Sequence, residues 1–230
     1  MNKKELYSNP FFQKTKDELR SDRLKKVARI INQHGGRLLD IGCGTGALTV
    51  EFGGHVLYGV DISEESVKIA QGRGIDAIAL DIDEEKLPFE DNFFDIIFCG
   101  EVVEHIFDPD HLLDEIYRVL KPGGIAVITT PNLASYLNRI ALLFGFQPYF
   151  TGTGLRHNTG KFFGDKAPCP HLIVFTLRSL RELFKLHGFK AQRIIGADIS
   201  HLLPQPLAVI DKIFAKIPAL AAGLIFVVKK

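Results

Sequence analysis

The sequence predicts a doubly wound α/β fold, a mostly parallel sheet with helices on both faces, and three observations lead to it. Short runs rich in Ile, Val, Leu and Phe alternate with helical patterns along most of the chain. The first run passes directly into a glycine-rich turn, Asp40-Ile41-Gly42-Cys43-Gly44-Thr45-Gly46. The next two runs each end on an aspartate, Asp61 and Asp81.

The apolar runs at Arg37–Ile41, Val56–Val60, Ile75–Leu80, Phe94–Cys99 and Ile125–Thr129 are short and continuous, as strands buried on both faces are. Before them, Leu19, Val27, Ile30 and Ile31 form a helical stripe that ends at Gly35-Gly36, which makes residues 1–34 an N-terminal helical segment. Between the strands, helices are expected at Ala47–Glu51, Ser63–Gln71 and Asp110–Leu120, the last closed by Lys121-Pro122-Gly123-Gly124. Strand, helix, strand in repetition requires right-handed crossovers. From residue 132 to 170 the pattern gives way to Gly, Pro and aromatic residues around one helical piece, Tyr136–Phe144. It resumes with a helix (Thr176–His187), a strand (Phe189–Ile195), a helix near Val209–Ala215 and a last strand (Leu224–Val228). The whole is read as one domain, residues 1–230, with 132–170 as an insertion.

Bulk composition excludes several functions. Against 28 basic side chains stand 27 acidic ones, a net charge of +1, so no overall field draws the chain to nucleic acid. Cys43, Cys99 and Cys169 are odd in number and scattered, which argues against a disulfide framework and for a reducing, cytoplasmic home. Ile217–Val228 lacks charge but is shorter than the roughly 20 residues a membrane span needs. Cys169-Pro170-His171 is no metal motif, and no metal is expected.

The glycine turn lets the backbone approach a ligand closely, but Gly42, Gly44 and Ala47 also satisfy the dinucleotide fingerprint, so an NAD(P)-dependent oxidoreductase stays open. Asp40 separates the two readings: a carboxylate just before the glycines would repel a pyrophosphate and attract an ammonium or sulfonium. Asp61 stands about 20 residues past the turn, where a carboxylate accepts both hydroxyl hydrogens of a ribose. Asp81 ends the next run, where an adenine amine would find an acceptor.

These segments, LLDIGCGTGALT, GVDIS, LDIDEEKLPFEDNFFDIIFCGEVVEHIFDP and YRVLKPGGIAVITTPN, resemble the class I S-adenosylmethionine-dependent methyltransferases (type 11/23-like) in order, spacing and content over Leu38 to Asn132. The resemblance implies a seven-stranded Rossmann-like sheet with an antiparallel last strand and S-adenosyl-L-methionine as cofactor. It implies that Asp40, Gly42, Gly44 and Gly46 line the methionine and ribose portion. It also implies that Asp61 and Ile62 lie at the ribose, Asp81 and Ile82 at the adenine, and Gly100 or Glu101 at the amino-acid end. The early Gly53-Gly54 departs from the family by shortening the first crossover. Beyond Asn132, TTPNLASYLNRIALLFG and HLIVFTLRSLRELFKLHGF resemble a narrower subgroup acting on cell-envelope, sugar, lipid or small-metabolite acceptors, and also MetW-like proteins, which would make the chain a non-catalytic partner.

Methyl transfer from a sulfonium needs alignment and dryness more than a base, and O- or N-methylation is expected ahead of C-methylation. Should a proton have to leave the acceptor, His105 and His171 are the candidate bases, each with a local structural hydrogen bond as its competing role. In the insertion, Arg139, Arg156, Lys161 and Lys166 are interleaved with six aromatic rings, as in a lid over a partly anionic acceptor, and Arg156 and His157 are the candidate substrate contacts. The segment Leu133–Cys169 is expected to be mobile until cofactor and acceptor are bound.

Overall fold

The computed structural model describes residues 21–154, 157–162 and 169–230. Its sheet has seven strands: β1 (Gly36–Ile41), β2 (His55–Asp61), β3 (Asp76–Ala79), β4 (Phe94–Gly100), β5 (Leu120–Pro131), β6 (Lys190–Ala197) and β7 (Gly223–Lys229). They lie in the order β3-β2-β1-β4-β5-β7-β6. The first five run parallel, and β7 is antiparallel to both β5 and β6. The predicted doubly wound sheet with its antiparallel last strand is therefore the observed one.

Side-chain alternation explains why the strands read as continuous apolar runs. Along β4, Ile97 and Cys99 face a core closed by α3 (Pro109–Val119) and α5 (Leu177–Leu186), while Ile96 and Phe98 face one closed by α1 (Asp22–Ile31). With both faces covered, neither phase of the period-2 pattern turns polar. Helix α1 is capped by Ser21, which accepts the Leu24 N–H, and buries Leu24, Val27, Ile30 and Ile31 as one stripe. The crossover helix α2 (Glu64–Gly72) is capped by Ser63, and α3 starts with Asp108 as cap and Pro109 in its first turn. The remaining helices are α4 (Tyr136–Leu143) and α6 (Leu207–Phe214). No helix among the described residues is long and apolar enough to cross a membrane.

Two elements differ from expectation. In place of a helix over Ala47–Glu51 there is a single 3-10 turn, Thr49–Glu51, because Gly53-Gly54 leaves too few residues to repay helix nucleation. Strand β5 begins at Leu120 rather than Ile125. Phe94 pairs with Leu120 and Ile96 with Ile125, so residues 121–124 bulge out of the ladder, with Gly123 at φ +83°.

His187, at the end of α5, bridges Asp110 and Asp114 of α3 with two contacts of 2.7 Å. Burial alone would lower the His187 pKa, but the hydrogen bonds and charges of Asp114 and Asp110 outweigh it and hold it above the ordinary value. A raised pKa contributes stability in full below the unfolded-state value of about 6.5 and loses it as pH rises through the folded-state value. His187→Gln is therefore expected to lower the urea midpoint at pH 5.5 and to matter far less at pH 9. An equal loss at both would remove the charge from the account.

Candidate cofactor cavity and its histidine edge

The sheet reverses its direction of growth between β1 and β4, and at the carboxyl ends of these strands the loops part into a crevice. The cavity there is walled by the turn after β1 and by the ends of β2 and β4, together with Leu80–Asp83 beyond β3. Gly42, Gly44, Asp61, Ile62, Asp81, Ile82, Gly100, Glu101 and His105, all singled out from sequence, line it.

The turn depends on glycine at two places for different reasons. Gly42 has φ +73°, and a Cβ on it would stand 2.4 Å from Val102 Cγ2. Gly44 has φ +52° with nothing within 4 Å of its missing Cβ, so bare backbone faces the cavity. Asp61 pins this turn from across the sheet. Its Oδ2 accepts the Gly44 N–H at 2.7 Å and its Oδ1 the Ser63 N–H at 2.9 Å, so the carboxylate is held at the cavity wall before any ligand arrives. Asp81 is held similarly, accepting the Asp83 N–H at 3.1 Å.

Two residues expected at the ligand are elsewhere. Asp40 is 1% exposed and accepts the Thr49 hydroxyl at 2.6 Å. It shares the α1-facing side of β1 with Leu38, so strand parity turns it away from the cavity. Gly46 faces inward as well: a Cβ there would lie 2.3 Å from Ile75 Cδ1, which gives it a packing role under α2. Of the two candidate substrate contacts, His157 is exposed and does not line the cavity, and Arg156 lies outside the described residues.

Just past β4, Glu101 takes φ +56°, a strained value for a residue with a side chain. Its carboxylate accepts the Thr129 hydroxyl at 2.9 Å and pairs with Arg23 of α1 at 2.5 Å. No sequence argument identified Arg23, because nothing local ties the first helix to the fourth strand.

His105 stands at the cavity edge and His171 behind it, ring centroids 4.8 Å apart, beside the fully buried Glu104. The Glu104 carbonyl accepts the N–H groups of Leu172 and Ile173, which brings the end of the insertion against the turn after β4. The cap of the next helix is Asp108, so His105 does not perform that competing role. Burial first, then the charge of His171, pulls the His105 pKa down to about 4. For His171 burial works against the charged form, but Cys169, the Glu104 carboxylate and the Phe150 carbonyl outweigh it and raise the pKa to about 9. Burial, followed by the Glu101 charge, pushes Glu104 up. Near pH 7 His105 is thus neutral and weakly basic, while His171 already holds its proton. Within the insertion, Lys161 Nζ donates to the carbonyls of Pro148 and Thr151, and Tyr149 N–H to Asn138 Oδ1.

Residues 39–128 match the family described as "Methyltransferase domain". The chain is 40% identical over 105 residues to an uncharacterised protein of Methanocaldococcus jannaschii, covering 46% of this chain and 49% of that one. It is 32% identical over 136 residues to the ubiquinone biosynthesis O-methyltransferase of Xylella fastidiosa, covering 54% of each. The chain thus spans about half the length of these curated relatives. A solved S-adenosylmethionine-dependent methyltransferase of Archaeoglobus fulgidus superposes over the full length of both chains with a TM-score of 0.64 at 21% identity, a likeness of fold.

Proposed function

We propose that the chain is a class I S-adenosylmethionine-dependent methyltransferase, a reading supported by the family match over residues 39–128 and by the shared fold, and that with S-adenosyl-L-methionine as cofactor it transfers a methyl group to a hydroxyl or amine of a small-molecule acceptor. The observation that carries this reading is the charge of the cavity. Asp61, Asp81, Asp83 and Glu101 line it, and no Lys or Arg does among the described residues. Arg23 behind the wall offsets Glu101, but the three aspartates, with no Lys or Arg in the described lining, give the cavity a negative wall that repels phosphates and favours a ligand bearing an ammonium and a sulfonium. The glycine turn points the same way. A pyrophosphate takes the N–H groups of such a turn and of the helix that follows it, but here Asp61 already engages the Gly44 N–H and the helix is reduced to one 3-10 turn.

In this reading Asp61 receives the ribose hydroxyls, Asp81 and the Ile82 backbone take the adenine, and Gly100 and Glu101 face the amino-acid end. Leu80, Val102 and Ile106 supply apolar wall that keeps water from the reacting centre. The bound cofactor brings the activated methyl group itself. The chain's part is then to align the acceptor, and the 32% identity to an O-methyltransferase favours oxygen as the acceptor atom.

Calorimetric titration separates the readings. One equivalent of S-adenosylhomocysteine is expected to bind with no detectable NAD binding. Saturable NAD binding with silence toward S-adenosylhomocysteine would return the chain to the oxidoreductase class.

A further inference from the structure

Where the cavity meets the insertion, side chains from distant parts of the sequence converge on a buried carboxylate. Glu104 is 0% exposed, and neither of its oxygens has a well-formed hydrogen bond among the described residues. The neighbouring Thr130 hydroxyl approaches the carboxylate but makes no well-formed hydrogen bond either among the described residues. A buried carboxylate so poorly supplied with donors is costly enough that native proteins rarely keep one without a counter-charge or a bound cation. His105 and His171 lie on either side, and one ligand atom from each of the three residues falls within 4.8 Å of the others.

The two imidazoles are oriented alike. Nδ1 of His105 lies 3.3 Å from the Pro170 carbonyl oxygen and Nδ1 of His171 lies 2.8 Å from that of Phe150. A carbonyl only accepts, so each ring donates from Nδ1 and turns Nε2 to a metal, through the lone pair already present on neutral His105 and through the one that His171 exposes on giving up its proton. Histidines that bind a metal through one nitrogen commonly donate from the other to a backbone carbonyl, which fixes ring and tautomer together. We propose that Glu104, His105 and His171 form a binding site for a divalent transition-metal ion of the zinc class, three protein ligands with a further position open toward the cavity. Two imidazoles and one carboxylate are a ligand set for such ions rather than for calcium or magnesium, which take mainly oxygen. Ligand atoms around tetrahedral zinc stand about 3.3 Å apart, so the three side chains draw together by about an ångström on an ion. The ion also supplies the counter-charge for Glu104 and displaces the proton from His171.

Because His105 lines the cavity, the open position suits an oxygen ligand such as an acceptor hydroxyl. That extension rests on the methyl-transfer reading; the ion site does not. Chelator-stripped protein titrated with Zn²⁺ by calorimetry, without cofactor or acceptor, is expected to take up one equivalent, and Co²⁺ to give visible absorption bands. His171→Asn and Glu104→Gln are each expected to weaken Zn²⁺ binding tenfold or more, with S-adenosylhomocysteine binding read separately to show that each variant is folded. Failure of the wild type to bind stoichiometric Zn²⁺, or wild-type affinity in both variants, overturns the site. A protein that takes zinc but not S-adenosylhomocysteine upholds the ion site and sinks the methyl-transfer reading, and the converse sinks the ion site alone.

Discussion

Replacing Asp61 by Ala is expected to weaken S-adenosylhomocysteine binding by about 2 to 3 kcal/mol, roughly 30- to 160-fold. Two losses combine. The ribose loses a charged acceptor, and the Gly44 and Ser63 N–H groups lose the oxygens that hold the turn in its binding shape. Asp61→Asn should fall between the two, because its single acceptor oxygen cannot serve both N–H groups and its amide nitrogen adds a donor facing one of them. Calorimetry alongside thermal melting separates affinity from folding. A folded Asp61→Ala protein with wild-type affinity would show that the ligand lies elsewhere.

Phe226→Ala is expected to lower stability by about 3 to 5 kcal/mol, the range for deleting a buried ring. Phe226 is fully buried in β7 and packs against Phe184 of α5 with ring centroids 5.1 Å apart. It therefore joins the strand between β5 and β6 to the helix that covers them. Neighbours fixed in two sheet ladders have little freedom to collapse into the space left behind. Urea unfolding should show a lower midpoint with an unchanged slope. A loss below about 1 kcal/mol would mean that this side of the core repacks freely.

The central strands β4, β5 and β7 were legible because each carries an apolar run, and burial on both faces erases any ambiguity of phase. Asp61 and Asp81 were legible because strand ends in this topology open onto one crevice. Asp40 was misplaced because spacing along the chain puts it beside the glycines, whereas strand parity, decided by which face α1 covers, turns it toward Thr49. The joining of Glu104 and His105 to His171 had no sequence signal. It arises from the docking of Leu172 and Ile173 on the Glu104 carbonyl, a contact between segments that no local pattern links. Arg23 escaped notice for the same reason: its partner, Glu101, follows β4 while it begins α1.

The position of β7 between β5 and β6 also governs the order in which the chain can assemble. Pro131 pairs with Gly223 and Ile125 with Lys229, partners about a hundred residues apart, so their ladder closes only after a large loss of chain entropy. The parallel half from β3 to β5 uses shorter connections and can form earlier. Until β7 arrives, β6 has no strand to join, and β5, the longest strand, presents an open apolar edge. The species most exposed to strand-to-strand association during folding is thus a half-built sheet ending at β5, and the rate at which β7 caps that edge sets how long the hazard lasts.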